Sequence, residues 1–133
     1  MRAFVVPILS PEDGFLDLLD TLAGAGANLA AVSLLPGDPP RMGFAVIDED
    51  RARRALRELR LVADEYELVE LRLPNTPGTL AAAARELAAA GNPIQLQLTL
   101  RANRGRTTEL IAVRDPAAAR FVIRGLSEDG LLD

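Results

Sequence analysis

Two glycine-bounded helices recur at a fixed distance along this chain, and that repeat limits the fold more than any other feature. Asp13-Gly-Phe-Leu16 opens the first, and Ala25-Gly-Ala-Asn-Leu29 closes it. Pro77-Gly-Thr-Leu80 opens the second, and Ala90-Gly-Asn-Pro-Ile94 closes it. Gly78 follows Gly14 by 64 residues, and Gly91 follows Gly26 by 65. Further on, Ala52, Ala55, Leu56 and Leu59 have the same spacing as Ala119, Val122, Ile123 and Leu126. That is one apolar helix face written twice. The 133 residues therefore divide into two diverged copies, with domains expected at 1–66 and 67–133.

Each copy shows the order strand, helix, strand, strand, helix, with a final strand where the chain allows. Residues 2–9, rich in Phe and Val, form the first strand, and residues 13–25 the first helix, with Phe15, Leu18, Leu19 and Leu22 on one stripe. Strands at 29–35 and 42–48 flank the turn Pro36-Gly-Asp-Pro-Pro40, and an Arg-rich helix covers 50–60. A single strand at 66–73 leads into the second copy. There Ile94, Leu96, Leu98 and Leu100 alternate with Gln95, Gln97 and Thr99, the pattern of a sheet with one covered and one wetter face. A strand at 108–113 and a helix at 116–125 complete the copy, and the tail Ser127–Asp133 is expected to fray or to add a short edge strand. The fold class is α+β: two βαββαβ units in tandem, antiparallel sheets with helices on one side.

Composition narrows the chemistry. The chain has no cysteine and no histidine, so zinc, haem and copper sites lose their usual ligands, and Ser-His or Cys-His catalysis is excluded. No metal site, catalytic residue or cofactor is expected, although carboxylate-only magnesium or calcium sites stay open. The net charge of −4 and a pI near 4.9 argue against a nucleic-acid or anionic-membrane partner. No apolar run approaches the roughly 20 residues that a membrane span needs. Met1-Arg-Ala-Phe-Val-Val-Pro7 is too short and too strand-like for a signal peptide, which makes a cytoplasmic protein the expectation.

The turn Asn75-Thr-Pro-Gly-Thr-Leu80 carries the most chemistry. Thr76 reads as an N-cap and Pro77 as the first helical residue, where its missing N–H is not needed. Gly78 leaves no side chain above the first turn. Open N–H groups at a helix start can hold a carboxylate, and the same turn also serves as an ordinary helix start.

These residues resemble tandem ACT domains, small ferredoxin-like modules that bind amino acids. Asn75-Thr-Pro-Gly-Thr-Leu80 is similar to the family's Asp/Asn-x-Pro-Gly-x-Leu turn. Gly26-Ala-Asn-Leu29 is similar to its Gly-(Ile/Val)-Asn-Ile lead into the second strand. About 125 residues are covered, and the whole is similar to small stand-alone bacterial proteins made of two such domains. Two places depart from the pattern: Ser10-Pro-Glu-Asp-Gly-Phe-Leu16 lacks the Pro-Gly pair, and Gly91-Asn-Pro-Ile94 displaces its Asn. The resemblance implies a ligand between the two units, with the intact turn facing the intact strand start. Asn75, Thr76, Gly78, Thr79, Leu80, Asn28 and Leu29 are then the ligand residues, and Asn92-Pro93 belongs to a degraded counterpart. The N–H groups of Gly78, Thr79 and Leu80 would take the carboxylate. The Asn75 and Asn28 carbonyls would accept from the ammonium, while Leu80 and Leu29 would set side-chain size.

The remaining charged segments have plainer readings. Glu49–Arg53 and Asp50–Arg54 have i,i+4 spacing on a solvated helix face. Arg101-Ala-Asn-Arg-Gly-Arg106 is a basic hairpin turn that can reach a phosphate. Glu12-Asp13 and Asp48-Glu-Asp50 suit helix starts. The function expected is a regulatory sensor without a catalytic domain. It would bind a small amino acid, form a homodimer and act on a separate metabolic enzyme. The alternatives are a small enzyme or a binding protein for another ligand on a ferredoxin-like scaffold, with Asp64, Tyr66 and Glu67 as its only acid/base groups, or an interaction module whose sites have decayed.

Overall fold

The computed structural model describes residues 1–10, 12–128 and 130. The first copy runs β1 (Arg2–Pro7), α1 (Asp13–Gly24), β2 (Leu29–Leu35), β3 (Arg41–Val46), α2 (Glu49–Glu58) and β4 (Asp64–Glu67). The second runs β5 (Val69–Pro74), α3 (Thr79–Ala89), β6 (Leu96–Ala102), β7 (Arg106–Ala112) and α4 (Pro116–Glu128). The chain divides into two compact units, Met1–Tyr66 and Glu67–Asp133. The sheet orders are β2-β3-β1-β4 and β5-β7-β6. Both units are α+β and ferredoxin-like, with two helices on one face of an antiparallel sheet.

In the first unit, β1 and β3 pair with Phe4 opposite Phe44. Their rings stack with centroids 5.4 Å apart, and both side chains are fully buried. Leu18 and Leu22 of α1 and Ala52, Ala55 and Leu56 of α2 close over them. In the second unit the repeated helix face does the same work. Ala119 and Leu126 of α4, with Ala83 and Leu87 of α3, cover Val69, Leu71, Leu73 and Ile111. Each buried Leu, Ile or Phe contributes about 1.5–3 kcal/mol by leaving water. The repeated glycines after α1 and α3 also behave alike. Gly26 and Gly91 are left-handed, and the N–H groups of Ala27 and Asn92 return to Leu22 and Leu87, which satisfies the last helical carbonyls.

Three expectations from sequence change here. The strand expected at 66–73 is two strands, broken at Leu68 where the neighbour changes from β1 to β7. Ser127 and Glu128 prolong α4, while Asp129 and residues 131–133 of the expected tail lie outside the described residues. The polar positions of β6 lie on the helix-facing side of the sheet. The register sets Thr99 opposite Glu109 and Glu109 opposite Leu71. Glu109 is only 5% exposed, and three neutral donors hold its carboxylate: Thr99 Oγ1 and Thr107 Oγ1, both at 2.8 Å, and Gln97 Nε2 at 3.1 Å. The buried charge is tolerated because its oxygens are hydrogen-bonded.

One ion-pair network differs from the helical spacing. Arg53 does meet Glu49, at 3.6 Å, but Asp50 pairs with Arg53 instead of Arg54. The shortest contact reaches across to β4, where Arg53 Nη2 and Nε donate to the two oxygens of Glu65 at 2.7 and 3.3 Å. The hydrogen bonds from Arg53 hold the Glu65 carboxyl below its usual value of 4.5. A depressed carboxyl stabilises the fold above its unfolded-state pKa, and that contribution is lost as pH falls through the folded-state value. Glu65→Gln should therefore lower the urea midpoint at neutral pH, and the gap to wild type should shrink as the solution is acidified below about pH 4.5. A gap that stays constant from neutral pH to pH 3 would show that the pair contributes nothing.

Candidate functional site

The β5–α3 turn is built by a proline–glycine pair, although not in the way the sequence suggests. Thr76, Pro77, Gly78 and Thr79 form a type II β-turn, with Gly78 at φ 91° and ψ −10° and Thr79 N–H directed at Thr76 O, 3.5 Å away. Proline presets the first central position, and glycine takes the left-handed second one without steric cost. The helix consequently starts after the pair. Gly78 occupies the N-cap position, and Thr79 is the first helical residue. Thr76 is not the N-cap and Pro77 is not the first helical position. The Thr79 hydroxyl reaches back instead, donating to Pro74 O at 2.8 Å and to Thr76 O at 3.1 Å.

This geometry leaves α3 open at its start. It has no side-chain cap and no acidic residue in its first turn. At the other helix starts a side chain takes a first-turn N–H: Ser10 Oγ, two residues before the α1 N-cap Glu12, accepts from Asp13 at 3.0 Å, Asp48 from Arg51 at 3.5 Å and Asp115 from Ala118 at 3.1 Å. Among the described residues, the N–H groups of Gly78, Leu80 and Ala81 make no hydrogen bond. A Cβ placed on Gly78 would meet no atom within 4 Å, so the backbone angle, not space, requires glycine there. Gly14 differs, because a Cβ there would come within 3.1 Å of Ile8 Cβ and Leu9 N. The repeated glycine serves conformation in one copy and close helix–strand approach in the other.

The structure gathers Asn75, Thr76, Gly78, Thr79 and Leu80 into this one turn. Asn75 is anchored twice to the β6–β7 hairpin, through its N–H to Gly105 O at 3.0 Å and through Nδ2 to Asn103 O at 2.7 Å. Its Oδ1 makes no hydrogen bond among the described residues and is oriented by the bond that Nδ2 makes. Leu80 is half-buried against the second core. Asn28 and Leu29 belong to the first unit. Leu29 starts β2 opposite Val46 and packs against the first core, while the exposed Asn28 side chain has no hydrogen-bond partner among the described residues.

Asn92 has a role that the sequence does not announce. It is 4% exposed, and its amide clasps the start of α4: Nδ2 donates to Asp115 O at 2.8 Å and Oδ1 accepts from Asp115 N–H at 3.1 Å. Only the shift of Asn92 by one place from the repeat hinted at a different use. Of the acid/base candidates, Asp64 and Glu67 are exposed and Tyr66 is half-buried on β4, with Glu67 3.8 Å from Arg120. No group of three or more Asp or Glu among the described residues is placed to hold a metal ion. No helix among them is long and apolar enough to cross a membrane.

No profile of a known protein family matches the chain, and no curated protein matches it in sequence. Solved structures do match. A protein from Bacteroides thetaiotaomicron superposes with a TM-score of 0.79 at 22% identity, covering 97% of this chain and 88% of that one. The regulatory subunit of aspartate kinase from Thermus thermophilus, in ligand-free form, gives 0.68 at 16% identity over 93% of this chain and 90% of its own. The corresponding subunit from Thermus flavus gives 0.65 at 18% identity over the same shares, 93% and 90%. The fold is a tandem pair of ACT-like units. At these identities the likeness speaks for the fold, and the chemistry of the ACT-like units has to come from their own residues.

Asn92→Ala should destabilise the protein by about 2 kcal/mol, because two buried hydrogen bonds are lost and the backbone of Asp115 loses its partner. Asn75→Ala removes one exposed bond and should cost about 0.5–1 kcal/mol. Urea unfolding of both variants checks the order. Equal losses would contradict the clasp assigned to Asn92.

Proposed function

We propose that this chain is a small-ligand-binding regulatory protein, and that the ligand is an amino acid whose carboxylate docks on the start of α3. The observation that carries this reading is the set of open N–H groups at Gly78, Leu80 and Ala81, on the helix that no side chain caps. A carboxylate there gains hydrogen bonds and the favourable end of the helix dipole. Asn75 Oδ1 supplies an acceptor for the ligand ammonium beside the turn, and Thr76, Thr79 and Leu80 complete its wall. Asn28 and Leu29 belong to the first unit and are proposed as ligand contacts of that unit's own, where the Asn28 amide has no hydrogen-bond partner among the described residues. The similarity in fold to two regulatory subunits supports a regulatory role, exerted on a separate metabolic enzyme. A homodimer is proposed as its assembly, since closed two-fold pairs are the commonest, and the cytoplasm as its compartment.

A thermal-shift screen of the twenty amino acids tests the reading. One or a few should raise the Tm in a concentration-dependent way, since a ligand at 100 times its Kd adds about 2.7 kcal/mol. Asn75→Ala should then weaken that ligand roughly ten-fold or more. Gly78→Ala should reduce both stability, by about 1–2 kcal/mol from the left-handed backbone, and binding. No response to any amino acid at millimolar concentration would overturn the proposal.

A further inference from the structure

The helix-free face of the second sheet concentrates positive charge at one end. Arg72 of β5 lies opposite Thr108 of β7, and Thr108 lies opposite Arg101 of β6, so the three are neighbours across three strands. With Glu70, Asn103 and Arg106 they line a cleft of about 270 Å³. Arg101 reaches this face through a β-bulge. Thr99 pairs with Glu109 and Arg101 with Thr108, which leaves Leu100 as the extra residue of β6. Under unbroken alternation Arg101 would share the face of Thr99 and the core. The bulge moves it to the side of Arg72. In the first unit the equivalent stretch, Val32 to Leu34 of β2, keeps an even register, and its irregularity falls between Leu29 and Ala31.

One guanidinium of the cleft has no counter-charge among the described residues. Glu70 is the only carboxylate among the described residues that line the cleft, and it pairs with Arg72 Nε at 3.2 Å. The Arg101 guanidinium has no ion pair or hydrogen bond among the described residues. Arg72 has Glu70 and Arg106 has an interaction of its own, so Arg101 is the cation of the cleft that stands ready for an anion. The loop that carries this charge is fixed. Asn103 Oδ1 accepts from the N–H groups of Gly105 and Arg106 at 3.2 and 3.0 Å, and Asn103 N–H donates to Arg106 O at 2.8 Å. Its Nδ2 makes no hydrogen bond among the described residues and is left as a further donor, and Thr108 also lines the cleft.

We propose that this cleft is a binding site for a small molecule bearing a multiply charged oxyanion, either a phosphate or a polycarboxylate. Planar guanidiniums match both by paired N–H···O bonds. The residues that line this site are not those of the amino-acid turn.

Calorimetric titration of the whole chain with inorganic phosphate, pyrophosphate and citrate at low ionic strength tests the site. At least one should bind saturably, and the binding should weaken as salt is added. Arg101→Gln and Arg72→Gln should each weaken it roughly ten-fold or more. Arg54→Gln removes the same charge from an exposed helix of the first unit and should leave it unchanged. Preference for pyrophosphate or phosphate over citrate assigns a phosphorylated ligand, and the reverse assigns a polycarboxylate. Absence of saturable binding to all three overturns the proposal, as does an equal loss with Arg54→Gln, since that would be a bulk-charge effect.

Discussion

Both units rest on two amphipathic helices laid on one face of an antiparallel sheet. Strand pairing alone does not choose that face. A slip of one residue in β1 or β3 would carry Phe4 and Phe44 out of the core and bring their neighbours in. The apolar stripes of α1 and α2 reject that slip, because Leu18, Leu22, Ala55 and Leu56 need the Phe face beneath them. The positions of the turns follow. Each strand must end where the next helix can drop onto the same side, and the chain meets that demand with a close glycine–strand approach at Gly14 and a type II turn at Pro77-Gly78.

The architecture was legible because the signals that define it are periodic and occur twice. The helix faces at Ala52–Leu59 and Ala119–Leu126 both cover a core, as the repeated spacing implied. The turn at 75–80 was also found, but its internal arrangement was not. A Pro-Gly pair before a helical pattern reads equally as a helix start or as a turn that precedes one, and the φ of Gly78 decides between them. Long-range polar contacts were the least legible. Nothing near Asn92 in the sequence points to Asp115, and nothing near Arg53 points to Glu65. A β-bulge leaves no mark in an alternating strand, so the face taken by Arg101 could not be read either.

The copies have diverged most where a fold tolerates change, at helix starts and on edge strands. At α1 a serine hydroxyl takes a first-turn N–H, while α3 keeps open amides and exposed space. β2 stays apolar through Val32 and Leu34, while β6 carries Gln97, Thr99 and the bulge. Shared core stripes hold the two units to one architecture, and these differences set their helix starts and edge strands apart. A ligand at the α3 start and an anion in the arginine cleft would both draw on the second unit. Asn75 connects the two places, since its amide is bonded to the backbone of the hairpin that carries Asn103.

Glu109 has a further consequence for how a duplicated chain finds its structure. It follows Phe44 by 65 residues, the interval that separates Gly26 from Gly91, and it occupies the corresponding place on the third strand of its unit. If β7 were to pair with β2 in place of β6 during folding, the carboxylate of Glu109 would lie beside Val32 and lose Thr99 and Gln97 as donors. If β3 were to pair with β6, the ring of Phe44 would meet Thr99 and Gln97. Each exchange buries a mismatched polar group, which costs on the order of 1–3 kcal/mol or more. Tandem copies are prone to misassembly between equivalent strands. One substitution at the centre of the sheet thus acts as a proofreading mark, keeping each copy's strands with their own kind.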